Sequence, residues 1–170
     1  MKINKLIYIT LLTLIINGCT STAKKKESIC LSKTSDIFTE GSVGIRVQDN
    51  FNTGKFKISF IKDYFKMTIN DPLGFGTKIF EKGPFGLKID GKEQNLDFND
   101  WMFKEYGWNF PLERLPKILL ENHKTVEYLS NWNTQILKRQ GVCNYSRVIK
   151  FTHKNKDIQV KLVIRNIRLN

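Results

Sequence analysis

The chain has 170 residues, with 28 Lys and Arg against 16 Asp and Glu and a formal net charge of +12. That length suffices for one domain with a sizeable core, and the pattern shows no repeat and no second domain. So basic a surface favours anionic partners, which are nucleic acid, acidic lipid headgroups or an acidic protein face.

The N-terminus narrows that set. Lys2 and Lys5 precede an almost unbroken apolar run of 11 residues, Leu6 to Ile16. A secretory signal core spans roughly 7–15 residues and a membrane-spanning helix needs about 20, so the run fits a signal and is too short to cross a bilayer. Ile16-Asn17-Gly18-Cys19 follows, a branched aliphatic residue, two residues and a cysteine. This matches the lipobox of bacterial lipoproteins, with Gly18 as the small residue the peptidase needs. An ordinary secretory signal that happens to contain a cysteine is the alternative. The expectation is a cleaved signal over residues 1–18 and a lipid-bearing N-terminus at Cys19. Thr20 stands where an Asp would mark inner-membrane retention in this class, so the expected location is the periplasmic face of the outer membrane. Removing 18 of 170 residues leaves 152 and takes away Lys2 and Lys5, lowering the net charge from +12 to +10. An exported lipoprotein does not meet nucleic acid, which leaves lipid headgroups and acidic protein faces.

Residues 19–36 carry Thr, Ser and Lys24-Lys25-Lys26 without apolar periodicity. They read as a flexible tether whose lysines can lie on an anionic membrane. Cys30 and Cys143 remain in an oxidising compartment. They either bridge tether and domain or stay as unpaired thiols, and the sequence favours the thiols.

The folded domain is expected over residues 37–170. Ile45 and Val47 alternate with Arg46 and Gln48; Asp49 to Gly54 reads as a turn; Phe56, Ile58 and Phe60 alternate with Lys55, Lys57 and Ser59. Phe65, Met67 and Ile69 repeat the pattern, a strand surrounds Ile79, and Leu87 and Ile89 precede an Asp90-Gly91 turn. Period two means strands with one wet face. The period then changes. Asp97 to Tyr106 reads as a short helix with cap-type Asn99 and Asp100 and a stop at Gly107. Pro111 opens a second helix with Leu112, Leu115, Ile118 and Leu119 on its apolar stripe, and Pro116 forces a break or a late start. Strands return at Ile149–Phe151 and Ile158–Ile164, around a turn at Lys154–Asp157. The order predicts an antiparallel sheet with helices packed on one face.

No catalytic constellation is present. His123 and His153 lack partners at ligand spacing, there is no G-x-S-x-G, and Gly74-Phe75-Gly76 lacks the third glycine of a nucleotide loop. Asp97 and Asp100, three apart at a helix start, are explained by capping. No enzyme activity, metal or cofactor is expected.

The informative site is Asp71-Pro72-Leu73-Gly74. Asp, Pro and Gly occupy positions favoured in a type I turn, so Asp71, Pro72 and Gly74 support it and Leu73 falls at the tip. Leu73 either folds back on a neighbouring loop or projects as a hydrophobic finger into a membrane. Burying one leucine is worth roughly 1.5–3 kcal/mol, enough to bias insertion and weak enough to reverse. The second clue is the sheet's apolar face. Phe56, Ile58, Phe60, Phe65, Met67, Ile69, Leu87 and Ile89, with Trp101, Leu115 and Leu119 from the helices, are the candidates to line an acyl-sized cavity. A filled core is the alternative.

These residues carry a resemblance. With Asp71-Pro72-Leu73-Gly74 after a strand, Gly107-Trp108, Pro111-Leu112 opening a helix, Trp132, and the closing strand Val160–Arg165, residues 41–170 resemble the LolB family of outer-membrane lipoprotein receptors. The resemblance implies an open antiparallel β-barrel with short helices lidding a hydrophobic cavity. It implies receipt of lipoproteins from the soluble periplasmic carrier LolA and their insertion into the inner leaflet of the outer membrane. Leu73 matches the family's protruding leucine. The expected partners are a LolA-like carrier, the acyl chains of cargo lipoproteins and outer-membrane phospholipid, with the chain acting as a monomer. Pro116 stands where the family more often has a polar residue. A structural envelope lipoprotein, and a lipid-binding lipoprotein with other cargo, are the alternatives.

Overall fold

The computed structural model describes residues 36–70, 76–120, 127–129, 131–141 and 143–170, all within the unit Lys33–Asn170. The strands are β1 (Ile37–Val47), β2 (Asn50–Ile61), β3 (Tyr64–Asn70), β4 (Thr77–Gly83), β5 (Gly86–Ile89) and β6 (Lys92–Gln94). Helix α1 (Phe98–Tyr106), a 3₁₀ turn (Leu112–Arg114) and helix α2 (Leu115–Leu120) come next. The chain then returns through β7 (Glu127–Leu129), β8 (Trp132–Gln140), β9 (Tyr145–His153) and β10 (Ile158–Leu169).

The described strands form one ten-stranded sheet in the order β6-β5-β4-β3-β2-β1-β10-β9-β8-β7. Neighbouring strands are antiparallel throughout. Among the described residues the protein is thus mainly β, with two short helices, and the sheet is open because β6 and β7 form its edges. The long-range step is the pairing of the first strand with the last, from Ile37↔Leu169 to Val47↔Ile158. A register shift interrupts it at Glu40/Gly41. A Cβ on Gly41 would lie 2.1 Å from the Val163 carbonyl oxygen, so this crossing admits only glycine.

The alternation seen in the sequence is the burial pattern. β1 buries Ile37, Thr39, Gly41, Val43 and Ile45 in turn, and β3 buries Phe65 and Met67 between wetter neighbours. The Asp90-Gly91 turn forms as expected, with φ of 50° and 79° at its two central residues. The expected turn at Asp49–Gly54 is corrected. The turn is only Gln48-Asp49, and Asn50–Gly54 already belong to β2, paired with Val43–Val47. Asn50, Asn52 and Thr53 reflect exposure at the strand's outer end, where residues 50–53 are all solvated, Phe51 among them. Strands β6, β7 and β8 extend the sheet beyond the expected set.

Helix α1 has Asp97 as its N-cap, its Oδ1 accepting from the Asp100 N–H at 2.8 Å. Such a cap is worth about 1 kcal/mol. Gly107 ends the helix at φ 73° and returns its N–H to the Phe103 carbonyl at 2.8 Å. The expected caps Asn99 and Asp100 instead lie inside the first turn. Pro116 has the predicted effect: the helix starts late, at Leu115, and places the proline in a first turn where its missing N–H costs nothing.

Two hydrogen bonds fasten this connection to the sheet. The buried Ser146 hydroxyl donates to the Ile118 carbonyl at 2.8 Å, and Trp132 Nε1 donates to the Asn109 carbonyl at 2.9 Å. Cys143 is disulfide-bonded, which corrects the expectation of a free thiol there; its partner lies outside the described residues.

Candidate functional site

The inner face of the sheet and the helical connection do not meet everywhere. Between them lies a cavity of about 80 Å³. The sheet contributes Val43, Ile45, Phe56, Ile58, Met67, Ile69, Phe80, Val160 and Leu162. The connection contributes Phe98 and Met102 of α1, Tyr106, Trp108 and Phe110 around its end, and Leu112 and Leu115 beyond. Gly76 and Lys78 complete the wall.

The chemistry of this wall is almost wholly apolar. Lys78 lends its aliphatic stem, while its ammonium group reaches Asp90 Oδ2 at 3.3 Å. Asp90 also accepts the Ile79 N–H at 2.9 Å. That backbone hydrogen bond, with Lys78 second, holds its carboxyl below the usual range. The carboxylate therefore stays charged and keeps the lysine head turned toward water. Burial, and then the nearby Glu105, pushes the Tyr106 phenol above its ordinary value, so it remains neutral. An apolar cavity with no charge inside it accepts hydrocarbon and offers nothing to orient a polar substrate.

The cavity sits toward one end of the sheet. Its lining residues Val43, Ile45, Phe56, Ile69, Gly76 and Lys78 lie near the end of β1, the inner half of β2, the end of β3 and the start of β4. The opposite end is filled. Phe60 and Phe65 stand 6.3 Å apart, and the Phe98 ring meets Phe65 edge-on at 5.5 Å. A chain of edge-to-face contacts then leads from Phe80 to Trp101 at 5.3 Å and from Trp101 to Tyr106 at 5.7 Å.

Of the residues singled out from the sequence, Phe56, Ile58, Met67, Ile69 and Leu115 come together around the cavity. Phe60, Phe65, Leu87, Ile89, Trp101 and Leu119 are buried in the core and are not among its lining residues. Cys19, Asp71, Pro72, Leu73 and Gly74 lie outside the described residues. The flanks of that turn are described: Asn70 and Thr77 are register partners, and Ile69 and Gly76 beside them line the cavity. As cavity-lining residues, sequence reasoning missed Val43, Ile45, Gly76, Lys78, Phe80, Phe98, Met102, Tyr106, Trp108, Phe110, Leu112, Val160 and Leu162. Ile45, Val160 and Leu162 were visible as alternation, whereas Trp108 and Phe110 fall in a segment without period.

A second hollow of about 190 Å³ lies on the outer face, among Glu40, Lys57, Lys66, Thr68, Asn166 and Arg168. Its wall mixes these charged and polar side chains with Phe38 and Ile58, and Lys66 is held there by Glu81 at 2.5 Å. Further along the same face, Lys150 and Lys161 oppose each other directly across β9 and β10, a like-charge pair that costs stability and adds to the basic charge of this face.

No protein-family model and no curated protein matches the sequence.

Proposed function

We propose that this chain is an outer-membrane lipoprotein that takes lipoproteins from a LolA-like periplasmic carrier and passes them to the inner leaflet, in the manner of the LolB family. One observation carries the reading. An uncharged apolar cavity opens beside the two strand ends from which the Asp71-Pro72-Leu73-Gly74 segment departs. On this reading an acyl chain is accepted and delivered at neighbouring places.

The energetics suit a relay without fuel. Each buried CH₂ is worth about 0.8 kcal/mol, so an acyl chain resists crossing water by something on the order of 10 kcal/mol. A receptor cavity removes that barrier, and the membrane then receives the chain. The basic outer face speeds encounter with an acidic carrier.

The cavity's size makes a demand. About 80 Å³ holds roughly three groups of water or methylene size, at about 30 Å³ each, a fraction of one acyl chain. Cargo uptake therefore requires the α1–α2 connection to move away from the sheet. Its outer ties are few and polar. Lys82 pairs with Glu113, and Lys156 donates to the Gly107 carbonyl. An exposed ion pair is worth about 0–1 kcal/mol, so opening the connection is opposed chiefly by the Ser146–Ile118 and Trp132–Asn109 hydrogen bonds.

The same small volume favours a second reading, a lipid-binding lipoprotein whose cargo has one short chain. Titration of the purified protein with an environment-sensitive fatty-acid probe, in series with a triacylated lipoprotein, separates the two. Uptake of both supports the receptor; uptake of the single chain alone supports the second reading; uptake of neither removes both and leaves a structural lipoprotein.

A further inference from the structure

We propose that the Gly83-Pro84-Phe85-Gly86 turn is a membrane-contact site, with Phe85 seated among lipid chains at the bilayer interface while the cavity mouth points away into water. The inference rests on reading Cys19 as the lipid-bearing residue.

The phenyl ring of Phe85 is 100% exposed. Turn tips favour polar residues, and a fully solvated phenylalanine has no folding role. The turn holds it outward. Gly83 and Gly86 pair across β4 and β5, Pro84 fixes its own φ, and Gly86 takes φ 110°, open only to glycine. The Tyr64 ring closes the base of the turn, 3.3 Å from where a Gly83 Cβ would lie. Ile61, 36% exposed, and Lys62 stand at the same end, in and beside the β2–β3 turn. An exposed aromatic ring beside a lysine is the composition of an interfacial anchor.

The topology says which end this is. Asp36 and Asn170 pair through their backbones where β1 begins and β10 ends, with N···O distances of 3.2 and 3.1 Å. The chain toward Cys19 thus departs from the end that carries Phe85. The cavity lies toward the other end of β4, where Gly76 lines it. Seven residues of β4 separate the two by about 23 Å. With Phe85 on the bilayer, the mouth faces the aqueous side, where a carrier arrives. Delivery then requires this contact to break and the molecule to turn. A contact made by one ring is weak enough for that: its loss costs about tenfold in occupancy, or about 1.4 kcal/mol.

The test uses the lipidated full chain in vesicles of zwitterionic and anionic phospholipid. Phe85→Trp adds an indole to a protein whose own Trp101, Trp108 and Trp132 are buried. The added emission is expected to be quenched several-fold more by brominated lipid than by aqueous acrylamide; the reverse order overturns the proposal. On the unsubstituted protein, a photoactivatable phospholipid is expected to label the peptide spanning residues 83–86, and labelling confined to other peptides also overturns it. The mass of the N-terminal peptide separates the two claims. An unmodified Cys19 is a failure of the lipoprotein reading, whereas a lipidated Cys19 with a water-facing residue 85 is a failure of this inference alone.

Discussion

Asn70 and Thr77 face each other as the last register pair of β3 and β4, and the residues beside them, Ile69 and Gly76, line the apolar cavity. The chain between them therefore departs from and returns to the cavity's rim.

The first prediction concerns that segment. Leu73→Glu is expected to leave the fold within about 0.5 kcal/mol, as surface changes usually do, and to leave cargo acceptance intact because no lining residue changes. Delivery to liposomes is expected to fail, since a charge resists entering the apolar layer. A two-step transfer of labelled lipoprotein, carrier to receptor and receptor to liposome, reads both. Loss of both steps with lower thermal stability would mean that Leu73 is packed against the domain.

The cavity itself is tested by filling it. Ile69 is half-buried at the rim and lines the space, so Ile69→Trp has room to turn inward. Overpacking costs about 1–3 kcal/mol, and probe uptake is expected to drop at least tenfold. Unchanged uptake by a folded variant would place the probe elsewhere.

The crossing of β1 and β10 gives a stability prediction. Gly41→Ala sets a methyl group 2.1 Å from the Val163 carbonyl oxygen, and neither backbone can yield without breaking the ladder. A loss of about 1–3 kcal/mol is expected, lowering Tm by about 2–4 °C for each kcal/mol. A melting curve superposed on that of the parent would refute the close approach.

His153 makes a pH prediction. Its ring lies 5.0 Å from Trp132, and its Nδ1 accepts the Asn155 N–H at 3.1 Å. Burial first, and Lys156 second, hold its pKa below the ordinary value. A depressed pKa means that the folded state prefers the neutral ring. The stability it contributes is present above about pH 6.5 and is lost as pH falls through the lower, folded value. Denaturation followed across that window is expected to show falling stability in the parent and a flatter profile in His153→Gln. Identical profiles would show that the ring titrates as in the unfolded chain.

What could be read from the sequence was the parity of the strands, and hence which face is apolar. Phe56 and Phe60 share that parity, yet only Phe56 reaches the cavity. The difference is set across the core, where the Phe98 ring packs on Phe65 and fills the space beside Phe60. Alternation along one strand carries no information about that. Strand β8 escaped for a different reason. Thr134 is a buried polar residue on the inner face, and register shifts between Ile136 and Arg139 break the alternation, leaving Leu137 47% exposed. The stretch Asn50–Gly54 had turn composition but pairs fully with β1, because exposure at a strand's end tolerates any residue that can extend.

The most direct test of the account is depletion of this protein in cells, followed by fractionation of the periplasm and outer membrane. Lipoproteins destined for the outer membrane are expected to accumulate in the periplasm in complex with the soluble carrier, and restored expression is expected to clear them while expression of Leu73→Glu does not. Normal arrival of lipoproteins at the outer membrane throughout depletion would contradict the receptor function.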